Sequence, residues 1–374
     1  MTFGELRLQP SPDKLWPELA LPAKPKILVI TLRRLGDVLM STPLLRTIRH
    51  RWPDATLHTL LFTGSERIIK GNSDLDDIIT VPQKPDLTQL FALARKLGRS
   101  YDLAISTQSG DRPTFYAWAA GKRSAGFVEG EGVLAWLKRV ALTTPVDILA
   151  DTHRVREVLR LAEALGVAPV AELVAPRGAV SSGAAPTRPY AVIHAAPMYR
   201  YKRWTDEGWR ALATALTARG LAVVATGGPG DRQELDAIWA ARPDVKRLDG
   251  ALSWPELAAL IRGASAYVGP DTSVTHLAAA TGTPTVALYG PTDPRLWGPW
   301  PTGGLDPVWD AAGTIQTRGN VWLVQNPLPC LPCQGEGCLK HRDSHSQCLD
   351  ELSVGQVLRA VDAALSNPAG RRSA

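Results

Sequence analysis

The sequence predicts an α/β protein made of two doubly wound parallel-sheet units that face a shared cleft. Three observations carry this prediction. Short apolar runs rich in β-branched residues recur along the chain, helical repeats lie between them, and the alternation restarts after a stretch rich in Ala, Gly, Ser and Pro. A strand buried on both faces needs such a continuous apolar run, and strand–helix alternation is the pattern of a doubly wound sheet. The length of 374 residues suits two cores better than one.

Each element follows from its residues. Lys26 to Leu32 is the first strand, and the polar turn Arg33-Arg34-Leu35-Gly36-Asp37 follows it. Val38 to Arg51 reads as one helix, with Val38, Leu39, Leu44, Leu45 and Ile48 at helical spacing, and Pro53-Asp54 ends it. Strands are predicted at Thr56 to Phe62, Ile78 to Val81, Leu103 to Ser106 and Ser124 to Phe127, with a helix over Leu87 to Leu97. Asp151 is the expected cap of a further helix that Gly166 ends. In the second half, strands are predicted at Tyr190 to His194, Ala222 to Thr226, Ala266 to Gly269 and Thr285 to Tyr289. Helices are predicted at Trp209 to Arg219, after the capping box Ser253-Trp254-Pro255-Glu256, and over Ser273 to Thr281.

The expected organisation is an extension over 1–25, a first unit over 26–175, a linker over 176–188 and a second unit over 189–351. The second unit carries a cysteine-rich loop at 328–348, and 352–374 form a last helix and tail. Ligands of open parallel sheets bind beyond the carboxyl ends of the strands, so the cleft between the units is the expected site.

Composition bounds the function. With 45% hydrophobic and 21% charged residues the chain is globular rather than disordered, and no apolar run is long enough to span a membrane. The proline-rich segment up to Lys26 has no continuous apolar core and does not read as a secretory signal, so the cytoplasm is the expected compartment. A net charge of +6 fits an anionic partner or a solvated basic surface. Nucleic acid is not expected, because no basic stripe carries stacking aromatics.

Four segments carry candidate chemistry. Between Val268 and Pro284 a strand ends at Gly269, a tight turn follows, and Thr272, Ser273 and Thr275 open a helix. Free backbone N–H groups and the helix dipole suit a diphosphate there, although the same residues also describe an ordinary capped helix. Asp271 would repel a diphosphate and is expected to meet sugar hydroxyls or cap the helix. Asp37, after Gly36 at the mouth of the first strand, is either a helix cap or a general base. Past His194, the run Tyr199-Arg200-Tyr201-Lys202-Arg203-Trp204 is a solvated loop or a wall in which Lys202 holds phosphate and the aromatics line a sugar or base. Gly227-Gly228-Pro229-Gly230-Asp231 is a glycine-rich strand end without the dinucleotide fingerprint, which argues against a dehydrogenase. Last, Cys330, Cys333, Cys338 and Cys348, with His341 and His345 between, are either a structural zinc or iron site or reduced thiols packing a loop.

Taken together, these residues resemble the ADP-heptose:lipopolysaccharide heptosyltransferases, glycosyltransferase family nine. The opening run Ile27-Leu28-Val29-Ile30 with Arg33, Gly36-Asp37-Val38-Leu39 and Thr42-Pro43 is similar to the family's first motif. Lys202-Arg203-Trp204, Asp271-Thr272-Ser273 with His276-Leu277, and Leu288-Tyr289-Gly290-Pro291-Thr292 are similar to later ones. The motifs run in order from about Lys26 to Leu365, and Leu32 to Leu39 with Tyr101 to Ile105 is nearest the heptosyltransferase III branch.

The resemblance implies a GT-B fold with the acceptor on the first unit and ADP-heptose on the second. It implies Asp37 as the base of an inverting displacement and no metal or other cofactor for the chemistry. Lys202 would bind donor phosphates and Asp271 the heptose hydroxyls. Gly228, Gly269, Thr272, Ser273, Thr275 and His276 would line the rest of the donor site. Arg33, Arg34, Lys122, Arg123 and Arg154 would meet a phosphorylated, membrane-anchored lipopolysaccharide core at the inner face of the cytoplasmic membrane, with Lys138, Arg139, Arg156 and Arg160 adding to that charge. The GT-B fold also implies that the last helix, near Val354 to Leu365, crosses back onto the first unit. One departure touches the donor loop: Pro197 and Met198 stand where some members carry paired threonines. The neighbouring alternatives are a protein O-heptosyltransferase, another GT-B nucleotide-sugar enzyme such as an epimerase, and a sugar-nucleotide binding protein without turnover.

Overall fold

The computed structural model describes residues 21–367. The first twenty residues of the expected extension, and the tail from 368, lie outside the described residues.

In chain order the first half contains β1 (Lys26–Thr31), α1 (Leu35–Met40), α2 (Thr42–Arg51), β2 (Thr56–Phe62) and β3 (Asp77–Val81). Then come α3 (Leu87–Leu97), β4 (Tyr101–Ser106), α4 (Asp111–Ala120), β5 (Gly121–Val128), α5 (Val133–Ala141), β6 (Thr144–Asp147) and α6 (Arg154–Ala164). The six strands form one parallel sheet in the order β3-β2-β1-β4-β5-β6. Alternation along β1 splits its side chains between two cores. Ile27 and Val29 pack with Leu44, Leu45 and Ile48 of α2 and with Val158 and Leu161 of α6. Leu28 and Ile30 pack on the other face with Leu97 of α3 and Tyr116 and Ala117 of α4.

The second half contains β7 (Tyr190–His194), α7 (Asp206–Ala218), β8 (Ala222–Gly227), α8 (Arg232–Trp239), β9 (Lys246–Asp249) and α9 (Trp254–Arg262). It continues with β10 (Ala266–Pro270), α10 (Ser273–Ala280), β11 (Thr285–Leu288), α11 (Pro294–Trp297), β12 (Ile315–Arg318) and β13 (Val321–Val324). It ends with α12 (Gln347–Asp350) and α13 (Val354–Ser366). Its sheet runs β12-β13-β11-β10-β7-β8-β9, parallel except for the β12–β13 edge pair. Between the sheets, 167–189 form no regular element.

Three local expectations are corrected. The helix read over Val38 to Arg51 is two helices, because Pro43 has no N–H to offer the Leu39 carbonyl, and Thr42 Oγ1 donates to it instead at 2.7 Å. The cap of α6 is His153, not Asp151: its Nδ1 accepts from the Val155 N–H at 3.2 Å. Finally, α13 does not cross back to the first unit. Its apolar side, Val357, Ala360, Val361 and Ala364, belongs to the second core and packs on α7, β10, β11 and β13.

The two units are joined by an apolar seam. Val38, Leu39 and Met40 of α1 share one core cluster with Val274, Leu277 and Ala278 of α10. Three hydrogen bonds fasten the seam at its rim: Arg156 to the Leu305 carbonyl (2.7 Å), Trp300 Nε1 to the Ala171 carbonyl (2.9 Å), and His153 Nε2 with the Gly298 carbonyl (2.9 Å). His153 accepts at Nδ1 and donates at Nε2, the bonding of a neutral imidazole. Burial pushes its pKa from 6.5 down to about 3, against the pull of the Gly298 carbonyl. Below the unfolded value of 6.5 the unfolded chain takes up a proton that the folded chain refuses. Stability therefore falls as pH drops from 6.5 towards 4, by up to about 1.4 kcal/mol per pH unit for this group. Thermal melts at descending pH are expected to show such a fall, to which buried His194 also contributes, and His153→Gln to lessen it. An unchanged slope in the variant would remove His153 as a cause.

Candidate active site

The carboxyl ends of both sheets open onto one cleft of about 1950 Å³. Each wall is built from strand ends and helix starts, where backbone groups are not consumed by the ladder or the helix.

The first wall begins at the end of β1. Asp37 lies in the first turn of α1 and caps nothing: the residue before that helix is Arg34, which makes no side-chain capping bond. The Asp37 side chain is mostly buried, and its Oδ1 has no hydrogen-bond partner. Two guanidinium groups flank that oxygen, Arg33 Nη1 at 3.7 Å and Arg154 Nε at 3.8 Å. Arg154 is itself buried and donates to the Thr107 carbonyl at 2.7 Å. Burial brings its pKa down to about 10 while Asp37 draws it up, so it keeps its charge at neutral pH. Asp37 lines the cleft with Oδ1 buried between two cations and without a donor of its own, and a carboxylate so placed can accept a proton from a hydroxyl set beside it.

The second wall faces it across the seam. A Cβ added at Gly36 would lie 3.8 Å from Ser273 and 3.9 Å from His276, so α1 and the start of α10 are in near contact. Thr272 caps α10 by accepting from the Thr275 N–H. Asp271 is buried just before it, and its Oδ2 accepts from Lys202 Nζ at 2.5 Å and from Thr292 Oγ1 at 2.7 Å. Its Oδ1 lies 4.0 Å from His276 Nε2. Burial works to raise the Asp271 pKa, yet Lys202 and His276 outweigh it and hold the carboxyl below its ordinary value. Burial likewise works against the charge on Lys202, and Asp271 overrides it, so the ammonium is held above its ordinary value. His276 is pushed down by burial, with Asp271 pulling back, and its Nδ1 has no hydrogen-bond partner.

The aromatic run before Lys202 is ordered by stacking. Tyr199 and Tyr201 lie parallel with centroids 5.5 Å apart. Arg34 from the first wall and Arg342 from the cysteine-rich loop both sit over the Tyr199 ring, at 5.4 and 5.3 Å. The loop thus reaches the cleft, where Gln334, Gly335 and Glu336 line it. Gly228, Trp254, Pro255 and Leu257 also line the cleft, and the apolar side chains among them are of the kind that suits a base.

The structure brings together most of the residues singled out in the sequence. Asp37, Arg33, Arg34, Lys202, Gly228, Asp271, Thr272, Ser273 and His276 line the cleft, with Arg154 just behind Asp37. Others are elsewhere. Gly269 is buried in β10 and leaves room for Tyr267 rather than for a ligand, since a Cβ there would collide with the Tyr267 hydroxyl. Thr275 is buried, its hydroxyl bonded to Tyr267 and to the Pro270 carbonyl. Lys122 and Arg123 begin β5, at the amino edge of the sheet away from the cleft, and Lys122 is tied to Asp102 at 2.8 Å. Three of the four residues expected to add to their charge are also paired internally, Lys138 with Asp111, Arg139 with Asp147 and Arg160 with Glu157.

The four cysteines lie near one another in the loop at 328–348. Cys330, Cys333 and Cys338 are exposed free thiols, and Cys348 is buried. Among the described residues no group of three or more His, Cys, Asp or Glu is arranged to hold a metal ion. Burial, reinforced by the nearby Cys333, pushes the Cys348 thiol up to about 12, so it is not a thiolate at neutral pH.

Sequence reasoning misses cationic residues that replace the displaced ones. Arg67 and Lys70 reach the cleft from the turn at Glu66–Ile69, and Arg112 from the start of α4. It also misses Glu234 of α8, paired with Arg203, and Asp231, which takes the Gly228 N–H at 2.7 Å. Asp231 lies within the glycine-rich run, but nothing in local spacing marks Arg67, Lys70, Arg112 or Glu234, which meet the cleft only through the fold.

The family Glycosyltransferase family 9 (heptosyltransferase) matches this chain over residues 90–303. Lipopolysaccharide heptosyltransferase 3 of Escherichia coli strain K12 is 26% identical over 325 residues, covering 80% of this chain and 92% of its own. Among solved structures, E. coli ADP-heptose LPS heptosyltransferase II superimposes with a TM-score of 0.70 at 22% identity, covering 91% of this chain and 98% of that one. E. coli heptosyltransferase WaaC with ADP-2-deoxy-2-fluoro heptose does so with a TM-score of 0.65 at 19% identity, covering 90% and 99%. The architecture is therefore GT-B, and the chain, a glycosyltransferase, belongs to family 9, the heptosyltransferases.

Proposed function

We propose that this enzyme transfers heptose from ADP-heptose to the inner core of lipopolysaccharide, with inversion at the anomeric carbon. The observation that carries the proposal is the unpartnered Asp37 Oδ1, set in the first wall against the start of α10 and the Lys202–Asp271 pair. The donor assignment is supported by the ADP-2-deoxy-2-fluoro heptose bound to WaaC, and the acceptor class by the K12 relative, a lipopolysaccharide heptosyltransferase.

In this scheme the second unit, 189–351, holds the donor and the first, 26–175, the acceptor, with 176–188 as linker. The base lies between Gly228 and Trp254, and the diphosphate over Thr272, Ser273 and His276 at the start of α10. The acceptor oxygen attacks the anomeric carbon, its proton passes to Asp37, and the bond from that carbon to the phosphate oxygen breaks with its electron pair leaving on ADP. The helix dipole and Lys202 offset the charge that develops on the leaving group, so no step calls for a metal. Asp271, already shared between Lys202 and Thr292, positions that ammonium and meets heptose hydroxyls with its free edge. Arg33, Arg34, Arg67, Lys70 and Arg112 supply the cationic acceptor wall, and the enzyme works at the inner face of the cytoplasmic membrane.

The test is incubation of the purified protein with ADP-heptose and heptose-truncated lipopolysaccharides, read by mass spectrometry. Gain of one heptose mass on a single acceptor is the expected result. Donor consumption without any acceptor would instead indicate an epimerase or hydrolase.

A further inference from the structure

Among the described residues twelve large apolar side chains are exposed, and eight of them stand on the three consecutive helices α3, α4 and α5. Scattered apolar exposure is ordinary, but a contiguous apolar patch is not. On α5, Val133, Leu134, Trp136, Leu137 and Val140 follow the spacing of an amphipathic helix, and this apolar stripe faces outward, 48–73% exposed. Ala135 is the residue that α5 turns to the core.

The stripe does not stand alone. Helix α3 packs on α4, and α4 on α5. Phe91 of α3 meets Phe115 of α4 edge-on with centroids 6.0 Å apart, and Phe115 lies 6.1 Å from Trp118. Leu87, Phe91 and Trp118 therefore extend the apolar surface across the outer side of the first unit.

Charge selects the occupant. Among the ionised residues of the three helices Lys138 is paired with Asp111 and Arg139 with Asp147, which leaves Arg95, Lys96 and Arg112 as cations without a carboxylate partner and no acid of these helices unpaired. Apolar side chains with aromatic anchors and a basic margin match the interface of an anionic bilayer, where apolar burial and attraction to headgroups add. A protein partner of ordinary composition would not require that one-sided charge. The start of α4, Asp111 to Pro113, also lines the cleft, so this face adjoins the acceptor wall.

We propose that the outer face of α3, α4 and α5 is a membrane-docking surface that seats the first unit on anionic lipid beside the cleft. This deepens the proposed transfer to a lipid-anchored acceptor and rests on that reading for its purpose. Its test needs no acceptor.

The full-length protein is floated with vesicles of phosphatidylethanolamine and phosphatidylglycerol, and with phosphatidylcholine vesicles as a neutral control. The wild type is expected to float with the anionic vesicles, less at raised salt, and poorly with the neutral ones. Leu134→Ser, Trp136→Ser and Val140→Ser combined replace exposed side chains, so the melting temperature is expected to hold while vesicle binding falls at least about tenfold. Arg95→Glu with Lys96→Glu is expected to abolish the preference for anionic lipid. Wild-type protein that stays in solution, or a serine variant that floats as well as the wild type, overturns the proposal. A wild-type dimer that the serine variant dissolves would also overturn it and assign the face to a second copy. Transfer to a delipidated, water-soluble acceptor is expected to survive the serine substitutions, so failure to dock and failure to transfer are separable.

Discussion

Asp37→Asn is expected to lower heptose transfer by about a thousandfold while leaving ADP affinity within about twofold. The amide keeps the size and polarity of the carboxylate but cannot take the acceptor proton. Oδ1 receives no hydrogen bond, and its two cationic neighbours stand at 3.7 and 3.8 Å, beyond hydrogen-bond reach, so the amide leaves no broken hydrogen bond there. It does remove the anion beside buried Arg154, so some loss of melting temperature is expected and transfer is compared where both proteins are folded. Transfer rates at saturating donor with a truncated lipopolysaccharide acceptor, beside ADP titration of both proteins, make the measurement. Turnover within about tenfold of wild type would mean that another group takes the proton.

Lys202→Ala is expected to damage both donor binding and the fold. The Lys202–Asp271 pair is 2.5 Å long and its carboxylate is buried. Removing one member of a buried pair strands the other charge and costs about 3–5 kcal/mol. Part of that cost will be read as a lowered melting temperature. Donor affinity should fall by about a hundredfold or more, through the lost phosphate cation and through an anion now bare at the donor site. Adding Asp271→Asn separates the two effects. The double variant removes the stranded charge and should regain most of the melting temperature, but not the donor affinity. Recovery of donor affinity as well would show that Lys202 acts only by neutralising Asp271 and never meets the phosphates.

The fold is legible where one element suffices to reveal itself. The runs at β1, β7, β10 and β11 are buried along nearly their whole length, and the capping box at Ser253 to Glu256 announces α9 without help from the rest of the chain. The strand β9, Lys-Arg-Leu-Asp, shows no strand pattern, because an edge strand covered on one side keeps polar residues. Helix α5 is hidden for a different reason: its apolar stripe is present, but the face it marks is the outer one. In the site, residues beside a strand end, Asp37, Asp271 and Lys202, stand out from position alone. Gly269 and Thr275 share that position yet point inward, because Tyr267 fills the space behind the turn. Lys122 and Arg123 are misplaced when charge is counted without asking which edge of the sheet β5 starts from. Arg67, Lys70 and Arg112 escape notice because only tertiary contact gathers them.

The apolar seam between α1 and α10 sorts the tolerance of this enzyme to change. The Asp37 carboxylate and the start of α10 are carried by two units that fold around separate sheets, yet their spacing is fixed by Val38 and Leu39 packing in one cluster with Val274 and Leu277. Those side chains touch no reactant, but a methylene lost there would move two reacting partners relative to each other by a fraction of an ångström, which positioning effects magnify. Of the cations proposed to meet the acceptor, only Arg112 at the start of α4 stands clear of the seam, whereas Arg33 and Arg34 lead into α1, and Arg67 and Lys70 flank Ile68 and Ile69, which pack in it. The same packing that sets the spacing of Asp37 and α10 thus also places most of that wall, so a change in acceptor preference is easiest at Arg112.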